Sequence, residues 1–239
     1  MSFFTKVKEL FFRSTEGYAC DACGREVFGY PFKRLCESCE SKLIKNDGRT
    51  CGKCGRAIRA EGICLTCKTA PPEFAKARSP LVYHGDGALL INRLKAGKKY
   101  LASYFAEEMS ACLPAFSYAE PPLLVPVPVT EEKRKKRGFN QAEELAKKLS
   151  ELTGCLVENG ILVKVQDGEQ KQLDAKSRRE KIRGTIRVKK RKACEGKTIL
   201  LVDDILTTGA TGSECARVLL NAGAKEVCLI TACSLPHRE

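Results

Sequence analysis

The most informative feature of the chain is an aliphatic run that ends in two adjacent aspartates and a small, polar turn. Residues 199–202 suit a strand buried on both faces of a parallel sheet, and Asp203 and Asp204 close that strand. The turn after them, called the phosphate loop below, consists of Thr207, Thr208, Gly209, Ala210 and Thr211. A helical run follows over residues 213–221, and the unpaired amides at a helix N-terminus favour a phosphate group.

The two aspartates predict a second part of the same ligand. Adjacent carboxylates cannot both serve a phosphate, so we expect Asp203 and Asp204 to contact hydroxyl groups or a metal ion carried by the ligand. Loop and acids together therefore predict a ribose phosphate. The alternative is an ordinary strand and turn whose acids cap the following helix, although strand, acid pair, turn and helix occur here in the required order.

Eight of the 14 cysteines lie in the first 67 residues and form four Cys-x-x-Cys pairs. These pairs are Cys20/Cys23, Cys36/Cys39, Cys51/Cys54 and Cys64/Cys67. Each pair places two thiolates on one side of a tight turn, so two pairs complete a tetrahedral site for Zn²⁺. We expect a double zinc ribbon with two structural zinc ions, in which sequential pairs are favoured over interleaved ones. Disulfides and a thioredoxin-like redox pair are the alternatives, and the otherwise intracellular character of the chain favours metal.

Composition and charge bound the cellular role and the domain organisation. The chain has 239 residues and a formal charge of +13, which indicates polyanionic partners such as phosphorylated metabolites or nucleic acid. No apolar run approaches the length of about 20 residues that a membrane span needs, and a secretion signal is missing, so we expect a cytoplasmic protein without a transmembrane segment. The paired cysteines and a Pro-Pro linker predict a zinc ribbon domain over residues 1–75 and an α/β domain over residues 76–239.

Alternating strands and helices in the second domain predict a mainly parallel sheet with flanking helices. Strands are expected at residues 123–127, 161–165, 185–188, 198–202 and 227–232. Asn140 can cap a helix in which apolar residues repeat at helical spacing up to Leu152. The ligand site of such a sheet lies beyond the carboxyl ends of its strands, where the phosphate loop is expected.

Two basic segments could neutralise a pyrophosphate. The first covers residues 133–137, between a strand end and a helix start, where Arg134 and Arg137 can form paired hydrogen bonds; a solvated basic loop is the alternative. The second, residues 170–184, contains Arg178 and has the character of a loop that closes over a ligand. The cations continue at residues 187–192, which also fits a nucleic-acid-binding face.

These motifs resemble a known family. The apolar strand, Asp-Asp and Thr-Thr-Gly-x-Thr resemble the phosphoribosyl pyrophosphate (PRPP) loop of type I phosphoribosyltransferases. The chain as a whole is similar to the ComF family of competence-associated proteins: the cysteine pairs, Val-Pro-Val-Pro at residues 125–128, Arg-x-x-Arg-Gly-Phe-Asn-Gln-Ala from Arg134 and the PRPP loop occur in the family order. One departure is Lys181, which stands where members usually carry Asn in the Arg-x-x-Asn that begins at Arg178.

The resemblance implies a protein of DNA uptake and natural transformation that binds PRPP and single-stranded DNA, together with a competence helicase or other DNA-uptake proteins. It implies Mg²⁺ bound with PRPP, and contacts to PRPP from Asp203, Asp204, the phosphate loop, Arg134 and Arg137. The alternative is an active phosphoribosyltransferase that transfers ribose 5-phosphate from PRPP to a base, an amine or nucleic acid. Its catalytic residues would be Asp203, Asp204 and Arg178.

Overall fold

The computed structural model describes residues 18–27, 34–165 and 182–236. Arg178, and with it residues 170–181 of the predicted closing loop, lies outside the described residues. In chain order the strands are β1 (Tyr18–Ala19), β2 (Glu26–Val27), β3 (Ala77–Arg78), β4 (Leu81–Val82), β5 (Leu123–Pro126), β6 (Leu162–Lys164), β7 (Ile186–Val188), β8 (Thr198–Leu206) and β9 (Glu226–Ser234). The helices are α1 (Glu37–Glu40), α2 (Leu65–Thr69), α3 (Gly85–Lys95), α4 (Leu101–Ser110), α5 (Glu131–Arg137), α6 (Gln141–Thr153), α7 (Arg191–Cys194) and α8 (Ala210–Asn221), with a 3₁₀ turn at Leu113–Phe116. No described helix is both long and apolar enough to cross a membrane.

A parallel sheet organises the described part of the chain and confirms the predicted fold class. β9 lies between β8 and the short strands β3 and β4, and β8 pairs with β5 on its other side. In this register Leu201 lies opposite both Val125 and Leu229. β8 continues to Leu206, so Asp203 and Asp204 lie inside the strand. The prediction that the two aspartates close the strand is therefore wrong.

The two faces of the sheet carry separate cores, and β8 contributes to both. Leu200 and Val202 pack in a core, called the first core, with the helices α3, α4 and α6. Ile199 and Leu201 pack in a second core with α8. Because successive strand residues point to opposite faces, burial on both faces requires the unbroken aliphatic run seen in the sequence.

The cysteine-rich segment runs along the sheet edge formed by β3 and β4. The Val82 amide donates to the Ile44 carbonyl at 2.8 Å, and the Asn46 amide donates to the Pro80 carbonyl at 2.7 Å. Cys20 and Cys39, which precede these hydrogen bonds in the chain, are buried in the first core. The cysteines that follow them, Cys51, Cys54, Cys64 and Cys67, are buried in the second core. The two halves of the segment therefore pack against opposite faces of the sheet. The domain boundary between residues 75 and 76 stays a prediction.

Two of the expected strands belong to a different sheet. β6 and β7 pair with each other in antiparallel fashion, with Val163 opposite Arg187, and are separate from the parallel sheet. The sequence located both strands because their residue pattern is local. Their assignment to the parallel sheet is wrong, since strand pattern does not specify which distant strand becomes the partner.

The first basic segment is a helix, α5, and not a connecting loop. The Thr130 hydroxyl accepts a hydrogen bond from the Lys133 amide at 3.3 Å and caps the helix, which ends at Gly138 with a φ of 78°. Two glutamates occupy the first turn and cations the last, an order that complements the helix dipole. This acidic-then-basic order after a threonine is the sequence signal for the helix.

Candidate functional site

β8 brings the phosphate loop to the carboxyl end of the parallel sheet. Gly209 adopts the left-handed conformation, with a φ of 78°, and directly precedes α8. The Thr208 hydroxyl accepts a hydrogen bond from the Ala210 amide at 3.3 Å. Among the described residues, the amides of Thr207, Thr208, Gly209 and Thr211 have no hydrogen-bond acceptor. Since residues 207–209 are partly exposed, these amides are available to an anion.

The two aspartates are not equivalent. Asp204 is 6% exposed, and its Oδ2 forms an ion pair with Lys95 Nζ at 3.0 Å but accepts no hydrogen bond within the described chain. Lys95 belongs to α3, on the face of the first core. Asp204 therefore points to the face of the first core. Because successive strand residues point to opposite faces, Asp203 points to the other face, where α8 lies.

Burial dominates the chemistry of Asp203. It raises the pKa of the Asp203 carboxyl well above its usual range, and the nearby Asp204 carboxylate raises it further. The Asp204 amide donates to Asp203 Oδ1 at 2.9 Å and acts in the opposite direction. A cation carried by a ligand would relieve this penalty, because it favours the ionised carboxylate.

The arginines predicted to bind pyrophosphate lie near the carboxyl end of the parallel sheet, but their side chains already have hydrogen-bond partners. α5 follows the carboxyl end of β5, and β5 runs parallel to β8. Arg134 binds Glu143 through two hydrogen bonds of 2.7 and 3.0 Å, which raise the pKa of Arg134. Arg137 donates to Gln141 Oε1 at 2.9 Å. Each guanidinium has five N–H donors, so both side chains keep donors that these contacts do not use. Arg178 lies outside the described residues.

The eight paired cysteines form two groups of four, which confirms sequential pairing. The first cysteine cluster contains Cys20, Cys23, Cys36 and Cys39, and the second cysteine cluster contains Cys51, Cys54, Cys64 and Cys67. Sulfurs of each cluster lie within 4.8 Å of one another, with separations of 3.8 Å for Cys23 and Cys36 and 3.9 Å for Cys54 and Cys64. Four sulfurs placed tetrahedrally about 2.3 Å from a zinc ion lie about 3.8 Å apart. The thiols are free, and each cluster can hold a zinc ion.

Backbone amides support both clusters in the same way. The Cys36 amide donates to Cys20 Sγ at 3.3 Å, and the Cys64 amide donates to Cys51 Sγ at 3.3 Å. Burial alone would raise the pKa of these two thiols, but the backbone donors outweigh it and lower the pKa of each to about 6. The donors thus favour the thiolate form that metal binding requires.

Sequence reasoning missed Arg56, which joins the second cysteine cluster to the phosphate loop. Its side chain is buried, with Nε donating to Cys54 Sγ at 3.4 Å and Nη1 donating to the Thr207 carbonyl at 3.0 Å. The available signal was a repeat, because Cys-x-x-Cys-Gly-Arg occurs at residues 20–25 and again at residues 51–56. The equivalent Arg25 is exposed.

Comparison with known proteins agrees with the described fold. The phosphoribosyl transferase domain family matches residues 135–239. Over 203 residues the chain is 30% identical to the competence protein ComFC of Bacillus subtilis (strain 168), covering 81% of this chain and 80% of that protein. It is 27% identical to the DNA utilization protein YhgH of Salmonella typhi, covering 81% of this chain and 93% of that protein. It is also 27% identical to the competence protein F of Haemophilus influenzae, over 81% of this chain and 87% of that protein.

We expect the purified protein to contain two zinc ions, one for each cysteine cluster. Cys23→Ser and Cys54→Ser should each lower the content to about one zinc ion per chain, because each removes one ligand from a different tetrahedral site. Atomic emission spectroscopy on the purified variants measures this content. Cys112→Ser, which lies outside both clusters, is the control and should retain both ions. Two zinc ions in both cluster variants would contradict the assignment.

Asp203→Asn should increase the free energy of unfolding at pH 7. Because the native pKa of Asp203 is raised, its contribution to stability is fully present below the unfolded pKa of about 4 and is lost as the pH rises through the native pKa. The variant carries no charge at residue 203. Its free energy of unfolding should therefore exceed that of the wild type at pH 7 and equal it near pH 4. Urea denaturation at both pH values measures the difference. The exposed Asp47→Asn is the control, and a less stable Asp203→Asn at pH 7 would refute the direction.

Proposed function

Because this chain belongs to the ComF family of competence proteins, we propose that it acts in DNA uptake or utilisation by binding PRPP in its phosphoribosyl transferase domain, and that it also binds single-stranded DNA. The relatives are named for competence and for DNA utilization, which supports the cellular role. Binding to a competence helicase or other DNA-uptake proteins, in the cytoplasm, is part of the same proposal. The observation that carries PRPP binding is the set of four phosphate-loop amides that have no acceptor among the described residues, just beyond the strand that carries Asp203.

The 5′-phosphate of PRPP would bind the phosphate loop. Its amides lie directly before α8, a helix of 12 residues, so unpaired N–H groups and the helix dipole both favour a phosphate. Gly209 supplies the left-handed turn that opens the loop, and its φ of 78° is a conformation that other residues rarely adopt. These features support the binding of a sugar phosphate at this end of the sheet.

The ribose and its metal ion would contact the aspartates. Asp203 points to the α8 face, the face to which the phosphate loop leads, and a carboxylate oxygen suits a ribose hydroxyl or Mg²⁺. Mg²⁺ bound with PRPP would act as the counter-ion of the Asp203 carboxylate. Asp204, in contrast, already has the Lys95 ammonium as a counter-ion. We propose that Asp204, held by Lys95 on the opposite face of the sheet, contributes to the same hydroxyl and metal site at the end of the strand.

The pyrophosphate would meet cations from two segments. Arg134 and Arg137 would donate to phosphate oxygens with the N–H groups that Glu143 and Gln141 do not occupy. Arg178 would approach from the closing loop. In the alternative function, an active phosphoribosyltransferase, the same cations would stabilise charge on the departing pyrophosphate.

The DNA would bind the exposed cations around β7 and α7. Arg187, Lys189 and Lys192 are exposed and form no ion pair within the described residues. Lys190 pairs with Glu158, and Arg191 Nη2 donates to the Asn221 carbonyl at 2.7 Å. Exposed cations without partners release counter-ions when they contact phosphates, so this surface fits a nucleic-acid backbone.

Replacing both aspartates should abolish PRPP binding. We expect isothermal titration calorimetry in Mg²⁺ to detect PRPP binding to the wild type and none to Asp203→Asn/Asp204→Asn, because the variant loses its charged contacts to the metal ion and the hydroxyls. Asp47→Asn, exposed in the cysteine-rich segment, should bind like the wild type. Normal binding by the double variant would overturn the assignment. Pyrophosphate release with DNA or bases present would instead support the active transferase.

Removing two exposed cations should weaken DNA binding in a salt-dependent way. In Lys189→Gln/Lys192→Gln, the slope of log affinity for a single-stranded oligonucleotide against log salt should fall by about 1.4, or about 0.7 for each lost phosphate contact. Fluorescence anisotropy over a salt series measures it. Lys147→Gln/Lys148→Gln removes equal charge from α6 and should leave the slope unchanged. Salt-independent binding by the wild type would contradict the proposal.

A further inference from the structure

Arg56 is a buried cation that spans the gap between the second cysteine cluster and the phosphate loop. Its guanidinium donates at one end to Cys54 Sγ and at the other end to the Thr207 carbonyl, at 3.4 and 3.0 Å. We propose that Arg56 is a positioning residue of the phosphate loop, through which the second cysteine cluster sets the affinity for PRPP. This inference rests on the proposed function and deepens it, because it gives the cluster a role at the ligand site.

The contact with the Thr207 carbonyl orients the second amide of the loop, that of Thr208. In a trans peptide the C=O of one residue and the N–H of the next point in opposite directions. When Arg56 holds the Thr207 carbonyl, the Thr208 N–H must point away from the guanidinium. That amide has no acceptor among the described residues. The preceding carbonyl, of Leu206, accepts from the Leu235 amide at 2.9 Å, so the entry to the loop is fixed at two successive peptides.

The other end of Arg56 is anchored by a rigid turn. The Cys51 amide donates to the Arg56 carbonyl at 2.9 Å, which closes the turn around the cluster. Gly55 has a φ of 68°, and a Cβ added there would lie 2.3 Å from the Ala77 carbonyl oxygen. The turn is therefore pressed against β3 and leaves no room to shift. The Ala77 amide, which donates to the Lys53 carbonyl at 2.8 Å, holds it there.

The repeated motif shows that burial of this arginine is not a requirement of the cysteine turn. Arg25 occupies the same place in the first cysteine cluster, where its carbonyl accepts from the Cys20 amide at 2.7 Å, yet its side chain is exposed. Burying a guanidinium is unfavourable unless its donors find partners. Arg56 finds them in the Cys54 sulfur on one side and in the Thr207 carbonyl on the other. The contact with the loop is thus what distinguishes Arg56 from its counterpart.

The test compares Arg56→Gln and Arg56→Lys with Arg25→Gln in the full-length, zinc-loaded protein. Lysine keeps the charge beside the thiolates but lacks the second donor group needed to reach both partners. We expect both Arg56 variants to bind PRPP about tenfold more weakly by calorimetry in Mg²⁺, the loss of one charge-assisted hydrogen bond. Amide hydrogen exchange without PRPP should be faster at Ala210 and Ser213, whose N–H groups donate to the Thr208 hydroxyl and the Gly209 carbonyl of the loop. Arg25→Gln should match the wild type in both measurements.

Zinc content, measured on the same samples, separates the outcomes. Weaker PRPP binding and faster exchange with two zinc ions retained support the inference. Equal affinity and equal exchange in Arg56→Gln and Arg25→Gln overturn it. Loss of zinc from both Arg56 variants also overturns it, because the guanidinium would then serve only the cluster. Should the wild type not bind PRPP, the proposed function fails, while hydrogen exchange still decides whether Arg56 orders the loop.

Discussion

Burial of β8 on both faces, between two parallel neighbours, is the constraint from which the rest of the described structure follows. Leu200 and Val202 belong to the core under α3, α4 and α6, and Ile199 and Leu201 belong to the core under α8. A strand held in this way cannot slip by one residue without exchanging its two faces. Its register fixes where the aspartates and the phosphate loop emerge, at the carboxyl edge shared with the end of β5.

The cysteine-rich segment covers one edge of the parallel sheet. β3 and β4 are two residues long and lie at an edge, where unpaired backbone groups favour unwanted pairing with other chains. Backbone hydrogen bonds from residues 44–46 cover this edge, and the two cysteine clusters lie on opposite sides of it. Metal ligation suits this task, because a short segment with few apolar residues gains its rigidity from the ion and not from a core of its own. The sheet edge and the clusters therefore stabilise each other.

The buried, negatively charged groups near the carboxyl end of β8 destabilise the protein when no ligand is bound. Burial and the neighbouring Asp204 raise the pKa of Asp203, so its ionised form is unfavourable at neutral pH. Lys95 forms an ion pair with Asp204, on the opposite face, and lowers the pKa of Asp203 by less than burial and Asp204 raise it. The phosphate loop has the complementary deficit, since four of its five amides lack an acceptor among the described residues. A ligand that combines an anionic phosphate with a bound cation would satisfy both groups at once, which supports the proposal that a metal-bound sugar phosphate binds here.

The sequence by itself determined the features that depend on neighbouring residues. Closely spaced cysteine pairs specified two sequential clusters because a short loop closes locally, and the aliphatic run specified a doubly buried strand. Contacts between distant residues were decided only by the tertiary structure: the Asp204–Lys95 ion pair, the pairing of β6 with β7, and the hydrogen bond from Arg56 to Thr207. Arg25 and Arg56 follow the same Cys-x-x-Cys-Gly motif, yet one is exposed and the other buried. A local pattern sets the shape of a turn, whereas the surface against which that turn packs decides what its side chains contact.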